Sequence, residues 1–179
     1  MRGRSRGGRA PRHARGESVS EPIRRELTIP NETRYLAAVR EGVREVVTLG
    51  RFPEKELNKL TLAVDEAVTN VMEHAYEYDL EGEMQIQVVL EASDTQFVAC
   101  IRDWGKAFDP TAVPVPDLTR HVAEGRRHGL GIFLIRQIMD EVSYRSTPEG
   151  CNELRLLKRA KASERDMRGA VAVRGSRGL

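Results

Sequence analysis

Leu57, Leu60, Val64, Ala67, Val68, Val71 and Ala75 recur three and four residues apart, the spacing of a helix with one buried stripe. Pro53, Glu54 and Glu56 ahead of them mark a helix start, because proline suits a first turn and carboxylates suit the positive end of the helix dipole. A step of about 100° per residue gathers Glu66, Asn70, Glu73, His74 and Glu77 on one polar face, nearly opposite that stripe. Two readings of this face stand side by side: a solvated surface, or a site. Asn is a poor helix former, and a surface optimised for stability would carry Lys, Arg or Ala instead.

Helices and strands are predicted on either side. RRELTI, from Arg24, is a short strand ending at Pro30. Asn31 is placed as N-cap of a first helix that carries Leu36, Val39, Val43, Val46 and Val47 up to Gly50. After the turn EYDLEGE, Met84, Ile86, Val88 and Leu90 alternate with polar residues, and Phe97 to Ile101 form a second extended run, so the two read as a hairpin. A connection of about 25 residues follows, from Asp103 to His128; such lengths belong to functional lids or disordered segments. A helix from about Gly131 to Asp140 and two strands, VSYRST and NELRLLK, complete the pattern.

The net charge of +2 conceals a division. Residues 1 to 15 hold six Arg and no acid, residues 158 to 179 hold seven Lys or Arg against two acids, and the segment between holds 16 basic and 25 acidic residues. The tails, 1–22 and 160–179, are expected to be basic and disordered around an acidic folded part at 23–159. A nucleic-acid partner is therefore expected only through the tails. No stretch approaches the ~20 apolar residues of a membrane span, and the basic start lacks the apolar segment of a secretory signal. Cytoplasmic residence without a membrane partner is the expectation. Cys100 and Cys151 fall in no metal-binding or redox spacing. Cys100 is expected as an unreactive buried thiol.

Three clusters have the composition of a ligand site. Glu66 and Asn70 lie one helical turn apart; an amide oxygen is a hard Mg2+ ligand and a carboxylate can orient or deprotonate a nucleophile in phosphoryl transfer. His74, a turn further, is expected to pack or hydrogen-bond. Asp103-Trp104-Gly105 follows a strand, where a carboxylate at the turn can accept a hydrogen bond from an exocyclic amine such as adenine's. His128-Gly129-Leu130-Gly131 precedes an apolar helix, whose free N–H groups attract phosphate. It lacks the Lys-Ser/Thr of a Walker A loop and follows no strand, which sets aside a P-loop and a Rossmann turn.

Taken in order, LAVDEAVTNVMEHAY, RDWGKAFDP, HGLGIFLIRQIMDEV and GCNELRLLKR resemble the ATP-binding superfamily of gyrases and histidine kinases, and within it the bacterial anti-sigma factor serine kinases. The resemblance spans residues from about 24 to 159. It implies an α+β two-layer sandwich of the Bergerat (histidine kinase-like ATPase) type, with a mixed, mostly antiparallel sheet and helices on one face. It further implies ATP and Mg2+ as cofactors, Glu66 as catalytic base, Asn70 as metal ligand, and Asp103 as holder of the adenine amine beside Gly105. Gly129, Leu130 and Gly131 fall at the family's phosphate-contacting lid hinge, and Arg40 where members carry a partner-binding arginine. The implied partners are an anti-anti-sigma factor, phosphorylated on serine, and a sequestered sigma factor, usually with a homodimeric kinase. The stretch RHVAEGRRH has no clear counterpart, so Arg126 and Arg127 receive no role. A histidine kinase would need a helical dimerisation segment ahead of the domain. The other readings are a non-catalytic ATP-binding module that acts by partner binding, and a nucleic-acid binder acting through its tails.

Overall fold

The computed structural model describes residues 21–75, 85–112 and 130–161. Strands β1 (Ile23–Pro30), β2 (Gln85–Ala92), β3 (Gln96–Asp103), β4 (Glu141–Ser146) and β5 (Asn152–Arg159) form one sheet in the order β1-β2-β3-β5-β4. Helices α1 (Leu36–Leu49), α2 (Leu57–His74) and α3 (Gly131–Ile138) pack on it. The two-layer α+β architecture is as expected. All four strand pairings are antiparallel, so among the described residues the sheet contains no parallel pair.

Period-2 alternation decides which face of the sheet is covered. Register aligns Leu27, Val88, Ile101, Leu154 and Tyr144 across all five strands, and these point into the helical layer. The opposite face carries an ionic lattice: Glu153 accepts from Arg102 at 2.6 Å and pairs with Arg145 at 2.6 Å. On this face Glu153 itself is buried, as are Val89, Val98 and Leu157. Cys100 lies there half-buried and not in the core; burial, then Glu153, nonetheless push its thiol pKa up.

The helical layer is built around α2, which packs against α1 on one side and α3 on the other. Leu60, Ala63, Val64, Ala67 and Val68 of α2 and Val39, Val43, Val46 and Val47 of α1 are fully buried. Each large apolar side chain so placed contributes about 1.5–3 kcal/mol. Asn31 is not the cap of α1. A 3-10 turn, Thr33–Tyr35, precedes that helix, and the Asn31 amide instead donates to the Met72 carbonyl of α2 at 3.5 Å. A local cap signal has lost to a tertiary contact. Pro53 likewise stands one residue ahead of its 3-10 turn, Glu54–Glu56, and α2 proper begins at Leu57.

Candidate functional site

The polar face of α2 is not a plain solvated surface. Glu66 and Asn70 are half-buried, because α3 covers that side of the helix and a pocket opens beside it. Glu73 and His74 are exposed, and the His74 ring stacks on Phe108 with centroids 4.6 Å apart, the packing role expected of it. Glu77 lies outside the described residues.

The pocket, about 310 Å³ and open to solvent, sits between α2 and the ends of β3, β4 and β5. Ala67, Val71, Ala75 and Leu154 supply apolar wall, Phe108 and Tyr144 aromatic wall, and Asn70, Asp103 and Lys106 the polar groups. An apolar cleft with a few polar groups is what holds a flat heterocycle in a fixed orientation.

Asp103 ends β3 and is 5% exposed. Its Oδ1 accepts two bonds, from the Gly105 backbone N–H at 3.0 Å and from Asn152 Nδ2 at 2.9 Å. A carboxylate accepts through both oxygens, and Oδ2 keeps its capacity for a ligand. Burial pushes the Asp103 pKa up, while the Asn152 and Gly105 bonds act against that rise. Asn152, 2% exposed, opens β5 directly opposite Asp103. It also donates to the Gly105 carbonyl at 3.1 Å and accepts from the Tyr144 hydroxyl at 3.1 Å. Asn152 and Tyr144 were not singled out from the sequence, since only strand register brings them to Asp103.

Gly105 is there for packing. A Cβ at this position would lie 2.1 Å from the Ala75 carbonyl oxygen, where α2 ends, and the next residue, Lys106, donates its N–H to that same oxygen at 2.7 Å. The turn after β3 is thus docked on the C-terminus of α2, which fixes Asp103 relative to Asn70. Gly105→Ala is expected to destabilise the domain by about 2–3 kcal/mol, read as a lower thermal midpoint, and to weaken nucleotide binding with it. A variant as stable as the native chain would contradict this contact.

Gly131, the first residue of α3, has a comparable constraint. A Cβ there would lie 2.4 Å from Glu66 Oε2. The start of α3 therefore rests against the Glu66 carboxylate, and the positive end of a helix dipole favours a negative charge at that point. Burial, then Asp65 and Glu73, push the Glu66 pKa up, which makes it a stronger base. Leu130 holds the N-cap position of α3, its carbonyl accepting the Leu134 N–H at 2.9 Å. Gly129 lies outside the described residues, as do Arg126 and Arg127.

Asn70 Nδ2 is buried without a hydrogen-bond partner among the described residues, an orphaned polar atom in the pocket wall. Buried amides are ordinarily satisfied; a half-turn of the amide would offer an oxygen at the same place. No group of three His, Cys, Asp or Glu side chains able to hold a metal occurs among the described residues. A lone amide suits Mg2+ nevertheless, since that ion keeps several waters and binds through one or two protein ligands plus substrate phosphates.

Arg40, half-exposed on α1, pairs through Nε with Asp65 Oδ2 at 2.6 Å. Asp65 immediately precedes Glu66 on α2. No helix among the described residues is long and apolar enough to cross a membrane.

Residues 29–158 match the family described as histidine kinase-like ATPase domain. The serine-protein kinases RsbW of Bacillus cereus (strain AH187) and Bacillus anthracis are each 29% identical over 121 residues, covering 65% of this chain and 74% of the relative. Among solved structures, the SiaB–SiaC complex from Pseudomonas aeruginosa has TM-score 0.55 at 16% identity, covering 74% of this chain and 88% of that one. The RsbU and RsbW domains of Rv1364c from Mycobacterium tuberculosis have TM-score 0.53 at 18% identity, over 76% of this chain and 32% of theirs, so the chain spans about a third of that protein. At these identities the two structures speak to the fold alone. With more than half its length matched, the chain belongs to the histidine kinase-like ATPase domain family.

Proposed function

We propose that this protein is an ATP-dependent serine protein kinase of the anti-sigma factor type, which phosphorylates an anti-anti-sigma factor and sequesters a sigma factor. The observation that carries the reading is the placement of an acceptor carboxylate, Asp103, in a pocket whose other wall leads along one helix through Asn70 to a carboxylate of raised basicity, Glu66. Similarity to the RsbW serine-protein kinases supports the same class.

Adenine enters between the aromatic and apolar walls, and its amine donates to Asp103 Oδ2. Asn70 is the residue that would hold Mg2+, which when bound neutralises charge on the phosphates. Glu66 accepts the proton of the partner's serine hydroxyl. The serine oxygen forms its bond to the γ-phosphorus as the bond from that phosphorus to the β,γ-bridging oxygen breaks, and ADP leaves with the electron pair. The start of α3 against Glu66 keeps the base aimed at one place.

Arg40 is the contact we assign to the partner proteins, and a homodimer is the assembly we assign to the kinase. Arg40→Glu is expected to leave ATP affinity unchanged and to weaken partner binding about tenfold or more, since it reverses a charge at an exposed contact. Arg40→Gln, which sets no acid against Asp65, should change it in the same direction. Unchanged partner affinity in both would remove Arg40 from the interface. The reaction itself is tested by incubating the native chain with Mg2+, ATP and a candidate small anti-anti-sigma protein. Phosphoserine on that protein is the expected result; ATP binding without transfer to any candidate would favour a binding module.

A further inference from the structure

Both N–H groups and the oxygen of the Asn152 amide are engaged inside the fold. Its two N–H groups go to Asp103 Oδ1 and the Gly105 carbonyl, and its oxygen accepts from Tyr144. Reversing the amide would set oxygen against two acceptors, so only one orientation is stable. The Tyr144 hydroxyl is itself oriented by the Phe108 backbone, and burial keeps it protonated by pushing its pKa up. An amide so used has no N–H left to offer a ligand. Its effect is on Asp103, whose Oδ1 it occupies from the adjacent strand.

We propose that Asn152, oriented by Tyr144, is a positioning residue that makes this pocket select 6-amino over 6-oxo purine nucleotides by holding Asp103 as an acceptor. The inference rests on reading the pocket as a nucleotide site. An ionised carboxylate can only accept, and it complements an exocyclic amine while leaving a 6-oxo group unpaired. A protonated carboxyl can donate, and would accommodate the oxo group. Burial moves Asp103 toward the protonated form, and the Asn152 bond is the larger of the two hydrogen bonds that oppose it. The other charged or titratable side chains among the described lining residues are Lys106, in the loop after β3, and Tyr144 on β4. The α2 wall contributes the neutral Asn70. Selection should therefore weaken as pH falls through the raised Asp103 pKa, and should weaken at higher pH once Asn152 is gone.

Threonine and valine have the same shape and both suit a strand, but only threonine brings a donor. The test is direct titration of the native chain, Asn152→Thr and Asn152→Val with ATP and with inosine triphosphate, each with Mg2+, at neutral pH and at a lower pH, alongside thermal melts. The native chain and Asn152→Thr should prefer ATP. Asn152→Val should lose about tenfold or more of that preference, mainly through weaker ATP binding, and the preference should fall further at the lower pH. A native ratio in Asn152→Val, or an equal loss of both nucleotides in Thr and Val variants alike, would overturn the inference and leave Asn152 a packing residue. A native chain that binds both nucleotides equally would overturn it too. If the native chain binds neither, the nucleotide reading itself fails before any variant is made.

Discussion

Asp103→Asn is expected to weaken ATP binding about a hundredfold or more, with the fold retained. The two donors fixed by the backbone and by Asn152 both address Oδ1. In the variant they must meet the new amide's oxygen, so its NH2 group takes the place of Oδ2. A donor then faces the adenine amine where an ionised acceptor had been. A charge-assisted bond of ~1.5–3 kcal/mol is lost and two donors are opposed. Inosine triphosphate, with an acceptor at the same ring position, should lose less than ATP. The sign of the pH dependence follows from the raised pKa of the buried acid. ATP affinity is full above that pKa and declines as pH falls through it, because the protonated form no longer accepts. Direct titration reads these outcomes, and ATP affinity unchanged in Asp103→Asn would move the nucleobase elsewhere.

Glu66→Gln should separate binding from reaction. Glutamine keeps the length and bulk that rest on Gly131, whose Cα leaves no room for more, so the junction of α2 and α3 is preserved. It cannot take a proton. General-base catalysis contributes typically 10²–10⁴-fold, and phosphoryl transfer should fall by about that factor while the ATP dissociation constant stays near native. Loss of both in equal measure would assign Glu66 to the architecture of the pocket instead of to the serine hydroxyl.

Much of the fold was legible because it is written in periods. The 3.6-residue stripe of α2, the valines of α1 and the alternation in β2 each report burial on one side; their C-terminal ends were read within a residue or two, while 3-10 turns stand where the starts of α1 and α2 were expected. Asn31 was misplaced because a cap is a local signal, and its amide has a partner some forty residues away on α2. Asn70 stood out as a poor helix former on a polar face, and Glu66 and Asp103 through the order of the motifs that hold them. Asn152 did not: its meaning depends on β5 pairing with β3 so that it faces Asp103, and register across fifty residues is not a local property. Gly105 looked like any turn glycine until the end of α2 was found against it. The Arg40–Asp65 pair is invisible for the same reason, since it joins two helices whose relative rotation only packing decides. Residues 113–129, which hold Gly129 and most of the long connection, lie outside the described structure.

The central claim is that one site binds ATP through Asp103 and transfers its phosphate through Glu66. It is tested most directly by measuring, with one ATP preparation and one candidate anti-anti-sigma protein, both ATP affinity and phosphoserine formation for the native chain and Glu66→Gln. Native transfer, with near-native affinity and transfer lowered about a hundredfold or more in the variant, is the predicted result. Equal transfer by the two proteins would contradict it.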